Sequence, residues 1–425
     1  MARSCLGRGT RLARVLLLLA ALLWTAGSAR PALADQSIDA PPAVVLWDGP
    51  ALVQARDDVR AGKPEIALAL AELRRSATSA LRAGPYAVTQ KGRLAPSGDP
   101  HDYTSLSIYW WPDPAATDGL PYVNRDGQVN PETDNTDLYD RLTMGRMIRT
   151  VETLALAYYL TDELTYAEGA ALLVRVWFLD EGTRMNPSMA FAQLIPGRPA
   201  PRGIGIIESR DLMRVTDAVA LLAESGAWTV ADQTGLQQWF RELASWLQES
   251  PQGQMEAREP NNHGVWFDAQ LAGFALFAGD RELAASIVAQ SPARRIGPQI
   301  EPDGRQPLEL ARTRPLHYSI FNLEAFARLA RIGDQVGIDL WHAEAPNGAS
   351  LRTAFDLAIH AATGTVPWPY PEISPVDAFR ELGPSLHHAA RGYADGDYAR
   401  SEADLSAGKG PLPQLKLALG GFYLN

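Results

Sequence analysis

The sequence is nearly without thiol and has very little lysine. Its 425 residues include one cysteine, Cys5, and four lysines, Lys63, Lys91, Lys409 and Lys416. A single thiol near the start gives the chain no internal disulfide, no thiolate metal site and no cysteine nucleophile further along. No His-Glu-x-x-His or comparable metal-ligand spacing occurs, so no metal and no cofactor is expected. His387-His388 reads as a solvated pair. No apolar run reaches the roughly twenty residues of a membrane-crossing helix. Cationic excess is missing too. The formal charge is −10, which argues against a nucleic-acid partner.

What is present begins with a targeting pattern. Arg3, Arg8, Arg11 and Arg14 precede the apolar stretch Val15–Trp24, and Ala32-Leu33-Ala34 fits a small-residue cleavage site. Residues 1–34 are therefore expected to be a signal peptide, with a periplasmic or secreted protein and no membrane association after cleavage. Loss of the five arginines in that segment, which holds no acid, takes the balance from −10 to −15. Any anionic partner must then be met by local positive charge. Almost all of that charge is arginine, which suits bidentate binding of carboxylates.

Beyond residue 35 no composition shift marks a boundary, and residues 35–425 read as one domain, expected to be a monomer. Helical periodicity is clear at 61–83, 142–158, 164–178, 212–222, 236–247, 265–278, 281–290, 318–332 and 351–363, with short Gly/Asp turns between many of them. No strand hairpin series is evident. Successive helical pairs over some 300 residues predict an all-α fold, a curved or closed array of helical hairpins. The exception is the polar, aromatic stretch Gly84–Thr136, which holds Tyr103, Tyr109, Trp110 and Trp111. A loop that long inside a compact domain is usually functional, and its aromatics suit stacking on sugar rings.

Two polar clusters carry the chemistry. Asn261-Asn262-His263-Gly264 opens an apolar run. About fifty residues later comes Arg305-Gln306-Pro307-Leu308-Glu309, followed by Arg312-Thr313-Arg314-Pro315-Leu316-His317-Tyr318. One Asn is explained as a helix cap; two amides and an imidazole in a row are not. Pro315 is placed to open a helix with Tyr318 in its first turn. Amide, imidazole, guanidinium and phenol together suit β-elimination on a uronic acid. The carbon 5 proton becomes acidic once the neighbouring carboxylate is neutralised. A base then removes it and an acid protonates the leaving oxygen. Guanidiniums near Tyr318 are expected to favour its phenolate. Hydrolysis would instead call for a pair of carboxylates, and none stands out among Asp102, Glu208, Asp211 and Glu309. A glycoside hydrolase and a non-catalytic polysaccharide-binding protein are the rival readings. Neither would generate an unsaturated sugar.

The chain resembles the alginate lyase family of polysaccharide lyases. The matching stretches are His101-Asp102-Tyr103-Thr104-Ser105, Tyr109-Trp110-Trp111-Pro112-Asp113-Pro114, Gly119-Leu120-Pro121-Tyr122 with Asp126-Gly127 and Asn130-Pro131, Asn261-Asn262-His263-Gly264, and Arg305 through Tyr318. The resemblance covers roughly residues 60–345. It implies an (α/α) toroid, an incomplete helical barrel of about five to six hairpins, with metal-free β-elimination of an anionic polysaccharide. It places Asn262, His263 and Arg312 around the substrate carboxylate and makes Tyr318 the proton-transfer residue. The spacing from arginine to tyrosine is one residue shorter than the family's, so both Arg312 and Arg314 stand as candidates. The expected substrate is alginate with mannuronate-type linkages, or the polyglucuronate glucuronan. Expected substrate contacts are Asn261, Arg314, Arg305, Tyr103, Tyr109, Trp110, Trp111 and Arg202, the last from Pro201-Arg202-Gly203. Whether His263 or Tyr318 is the base stays open.

Overall fold

The computed structural model describes residues 40–199 and 202–421. The expected signal peptide, with Cys5, lies outside them. The chain divides into Met1–Ala40 and Pro41–Asn425, and the second unit carries everything that follows. No helix among the described residues is long and apolar enough to cross a membrane.

Helix starts follow local chemistry. Helix α1 (Gly49–Arg60) begins where the Asp48 carboxylate accepts from Ala51 N, and α2 (Pro64–Ala80) begins on a proline. Helices α3 (Arg141–Thr161) and α4 (Leu164–Phe178) form a hairpin whose turn has Asp162 at φ 57°. Then come α5 (Met213–Leu221), α6 (Val230–Glu249), α7 (Pro251–Glu256), α8 (Asn262–Phe277) and α9 (Arg281–Ser291). The helices Pro315–Val336, Leu351–Thr363, Gly383–Gly392, Gly396–Ser406 and Pro411–Ala418 complete the series. The last three were not marked out by periodicity.

Packing joins these elements into a ring. α2 packs on α3, α3 on α5, α5 on α8, and α8 on Pro315–Val336. That helix packs on Gly383–Gly392, which meets Pro411–Ala418, and Pro411–Ala418 returns to α2. Outer helices back this circuit: α4 lies on α3, α9 on α8, Leu351–Thr363 on Pro315–Val336, and Gly396–Ser406 on Gly383–Gly392. The arrangement is an α/α toroid. α8 is buried on all sides from Gly264 to Ala275, as an inner helix between neighbours is, and its two polar residues there, Asp268 and Gln270, are paired with Arg295 and Ser209. His387 and His388, expected to be solvated, are both buried where the ring closes. His388 Nε2 lies 3.0 Å from the Gly420 carbonyl.

Strand is scarce but not absent. β1 (Thr104–Leu106) pairs in parallel with β4 (Phe191–Leu194), and β2 (Trp110–Trp111) pairs antiparallel with β3 (Val123–Asn124). Strands of two to four residues leave no alternating pattern long enough to read in a sequence. These pairs tether the long loop that follows α2. Gly205 permits the approach behind β4, because a Cβ there would sit 2.3 Å from the Ala192 carbonyl oxygen.

Candidate active site

The two polar clusters become two helix beginnings. α8 starts at Asn262, capped by Asn261, whose side-chain oxygen accepts from His263 N at 3.1 Å. The second helix starts at Pro315, and Leu316 N donates to Glu372. α8 and Pro315–Val336 pack directly on each other. Their first turns open into one groove of about 780 Å³. Gly264 has a packing reason. A Cβ there would lie 2.2 Å from the Glu259 carbonyl oxygen and 2.3 Å from the Arg295 guanidinium. Arg295 is bidentate to buried Asp268 and reaches the carbonyls of Ala257 and Glu259, fixing the turn ahead of α8.

His263 is held by a carboxylate that lies close in sequence but on another helix. Its Nδ1 lies 2.6 Å from Glu256 Oε1, and Glu256, at the end of α7, is 1% exposed. Burial disfavours the imidazolium. The charge and hydrogen bond of Glu256 outweigh it and hold the imidazole above its ordinary pKa. Nδ1 facing the carboxylate leaves Nε2 as the nitrogen that can accept a proton. Asn262 is committed elsewhere. Its backbone N and side-chain Nδ2 both donate to Glu309, at 2.8 to 3.0 Å. Burial pushes the Glu309 carboxyl up, against these donors.

Tyr318 is a buried phenol. Its hydroxyl donates to Tyr109 at 2.8 Å, and the Arg312 guanidinium lies 3.7 Å from its ring centroid. The surroundings of Tyr318 favour the neutral phenol over the expected phenolate. Burial, then the neighbouring Tyr109, push Tyr318 well above the ordinary phenol range, and Arg312's downward pull is smaller. Arg312 is itself bidentate to Asp126, at 2.5 and 3.2 Å, and Asp126 also accepts from Thr313. Arg314 is less engaged. Its Nη2 is 3.7 Å from Glu381, and its buried Nε has no hydrogen-bond partner. Glu381 is taken chiefly by His317, at 2.6 Å.

Of the expected site residues, Tyr318, His263, Asn262, Arg312, Asn261, Arg314, Tyr109, Trp110 and Arg202 line the groove. Three do not. Tyr103 is 1% exposed, and its hydroxyl donates to Glu208, so it packs beneath the groove. Trp111 turns its indole N–H to the Gln128 carbonyl and lies under Arg125. Arg305 sits on a surface turn with Glu301 and Asp303. Trp110 forms a platform for Arg198 and Arg202, at 4.5 and 5.7 Å, and Arg202 keeps a buried Nη1 without a partner.

Sequence reasoning missed Glu256 and Glu381 as parts of the site, and Arg141 and Arg149 as groove lining. Asp126 and His317 lie within matching stretches, and Arg210 is a candidate source of positive charge, but their partners Arg312, Glu381 and Asp211 are not legible in the sequence. Tertiary packing makes those pairs. Six arginines line the groove against four carboxylates, Asp126, Glu208, Asp211 and Glu381. An acidic chain thus presents locally positive ground. Among the described residues no His/Asp/Glu group could hold a metal ion.

The sequence profile described as Alginate lyase matches residues 87–368. Among solved structures, an alginate lyase from Bacteroides ovatus is 36% identical at a TM-score of 0.84, covering 90% of this chain and 100% of that one. Alginate lyase A1-III from Sphingomonas species A1 is 17% identical at a TM-score of 0.55, covering 91% and 98%. A variant of A1-III complexed with a tetrasaccharide is 16% identical at 0.57, again covering 91% and 98%. The A1-III likenesses speak for the fold alone. No curated protein matches the chain.

Proposed function

The chain belongs to the alginate lyase family and is a polysaccharide lyase, and on that premise we propose that it is an exported enzyme cleaving alginate, at mannuronate-type linkages, by β-elimination. The observation that carries the mechanism is the pairing of two rings of opposite readiness in one groove. His263 is made basic by Glu256, and Tyr318 is kept a neutral phenol by burial.

The steps follow from that pairing. The substrate carboxylate enters beside His263, where Asn261 and Arg314 have donors that the fold leaves unspent. Asn262 and Arg312 add to this field while held by Glu309 and Asp126. Neutralising the carboxylate stabilises the carbanion that develops at carbon 5. Nε2 of His263 takes the proton from carbon 5, and the imidazolium formed is stabilised by Glu256. The electron pair closes a double bond between carbons 4 and 5 as the bond from carbon 4 to the glycosidic oxygen breaks. Tyr318 gives its proton to that oxygen, and Arg312 over the ring stabilises the phenolate left behind. We adopt removal and delivery of the proton on one face of the sugar, which is the stereochemistry of mannuronate and of glucuronate linkages; guluronate would need the two rings on opposite faces. Trp110 with Arg202 offers a stacking surface and a free guanidinium for a neighbouring sugar.

The test is ultraviolet absorbance of the conjugated product when purified protein without residues 1–34 meets polymannuronate, polyguluronate, glucuronan and hyaluronan. Absorbance growth on polymannuronate is expected. Growth on polyguluronate alone would overturn the one-face reading, and new reducing ends without absorbance would replace the lyase with a hydrolase. The location is tested separately, by fractionating cells that express the full chain.

A further inference from the structure

The groove continues past its acid–base residues. Arg149, on α3, lines it, and the same side chain lines a second, more open hollow of about 250 Å³. Ser76 and Ser79 near the end of α2 wall that hollow, together with Tyr86 and with Arg146 and Thr153 of α3. It is a cleft between two helices of the ring that pack on each other.

Arg146 and Arg149 are three residues apart, hence on one face of the helix. Both are exposed, and neither guanidinium has a carboxylate or carbonyl partner among the described residues. That sets them apart from Arg141, Arg210, Arg312 and Arg314, each of which has an acidic neighbour. The next guanidinium, Arg214, is already spent on Glu152. Partial desolvation, then repulsion from Arg214 and Arg146, holds the Arg149 pKa below its ordinary value. An anion set between Arg146 and Arg149 would relieve that repulsion and gain charge-assisted hydrogen bonds. The serine hydroxyls beside them can donate to or accept from sugar hydroxyls.

We propose that the α2–α3 cleft is a distal uronate site, reached from the catalytic groove past Gly145 and Arg149. A polyuronate carries one carboxylate on every sugar, so a chain with one unit at His263 and Tyr318 can set another against Arg146 and Arg149. This inference rests on the reading of the groove as a polyuronate site, and it gives the polymer a direction: over the first half of α3.

The experiment compares Arg146→Glu and Arg149→Ala with the parent protein on oligouronates from tetramer to octamer, reading kcat/KM from product absorbance and checking folding by thermal melting. The deficit of each variant is expected to grow with chain length, by roughly fivefold between tetramer and octamer, and to shrink in high salt. An equal deficit at every length, or none, would overturn the distal site. If the parent protein eliminates none of these substrates, the catalytic reading fails. Equilibrium binding of the octamer then decides the cleft by itself, since Arg146→Glu should weaken it and unchanged affinity would remove the proposal.

Discussion

The beginnings of α8 and of the Pro315–Val336 helix lie side by side in one groove and are built in opposite ways. At α8 the polar groups rest on buried carboxylates, His263 on Glu256 and Asn262 on Glu309. At Pro315 the phenol of Tyr318 rests on an uncharged hydroxyl and lies under a guanidinium, and the carboxylate that holds that guanidinium, Asp126, comes from the loop after α2. Negative charge beneath a ring raises its proton affinity. Burial with a neutral partner keeps a phenol protonated. The same local device, a polar first turn, thus yields a proton acceptor in one place and a donor in the other, and the difference lies in what packs behind it.

The largest effect should come from removing the donor. Tyr318→Phe is expected to lower kcat by about 10²- to 10⁴-fold without unfolding, since among the described residues the hydroxyl bonds to Tyr109 alone. Tyr109→Phe should cost far less. Equal losses in the two variants would make the tyrosine pair, and not Tyr318, the acid.

Glu256→Gln tests the acceptor. The carboxylate raises the pKa of His263, and the imidazole must be neutral to accept. The wild-type rate should therefore fall as pH drops through that raised pKa. Replacing the carboxylate lowers the pKa, so the acid limb of kcat/KM should move to lower pH, with a loss of about tenfold in the plateau rate. An acid limb that stays in place would remove His263 as the base.

A finer contrast separates the two arginines. Arg314→Ala should raise KM by about tenfold, the worth of one charge-assisted hydrogen bond, with a smaller change in kcat. Arg312→Ala should act mainly on kcat, because it uncovers the phenol. Steady-state kinetics giving the reverse pattern would make Arg312 the carboxylate ligand. The smallest effect belongs to Arg305→Ala. On its exposed turn it should change activity by less than about twofold; a large loss in the same assay would bring that turn back into the site.

Much of this protein was legible without coordinates. An Asn cap ahead of α8, Pro315 as a helix opening, the apolar face of α3 and the apolar run of α8 are local facts, set by backbone hydrogen bonding, a 3.6-residue period and composition. They placed His263 and Tyr318 in first turns, where the structure has them. The abundance of arginine over lysine, and the aromatics of the loop after α2, pointed to an anionic sugar polymer. The resemblance carried by those same stretches supplied the ring.

Other features needed the tertiary structure. Arg305, Tyr103 and Trp111 belong to the same motifs as true groove residues, yet Arg305 points to solvent, Tyr103 is buried, and Trp111 lies half-buried against Gln128 and Arg125. A motif fixes the neighbourhood of a side chain but not its direction once the chain bends. His387 and His388 became core because the last helix returns to α2. The expectation for Tyr318 shifts for a related reason. Guanidiniums nearby in sequence argued for a phenolate, but the cost of burial depends on everything that packs around the ring, and here it is the larger effect. The sequence by itself determined most of the helices up to residue 363 and the chemical groups that open the two at the site. The tertiary structure decided which of those groups share a groove, which carboxylate stands behind each, and hence which ring takes the proton and which gives it, because burial and long-range pairing exist only in the folded chain.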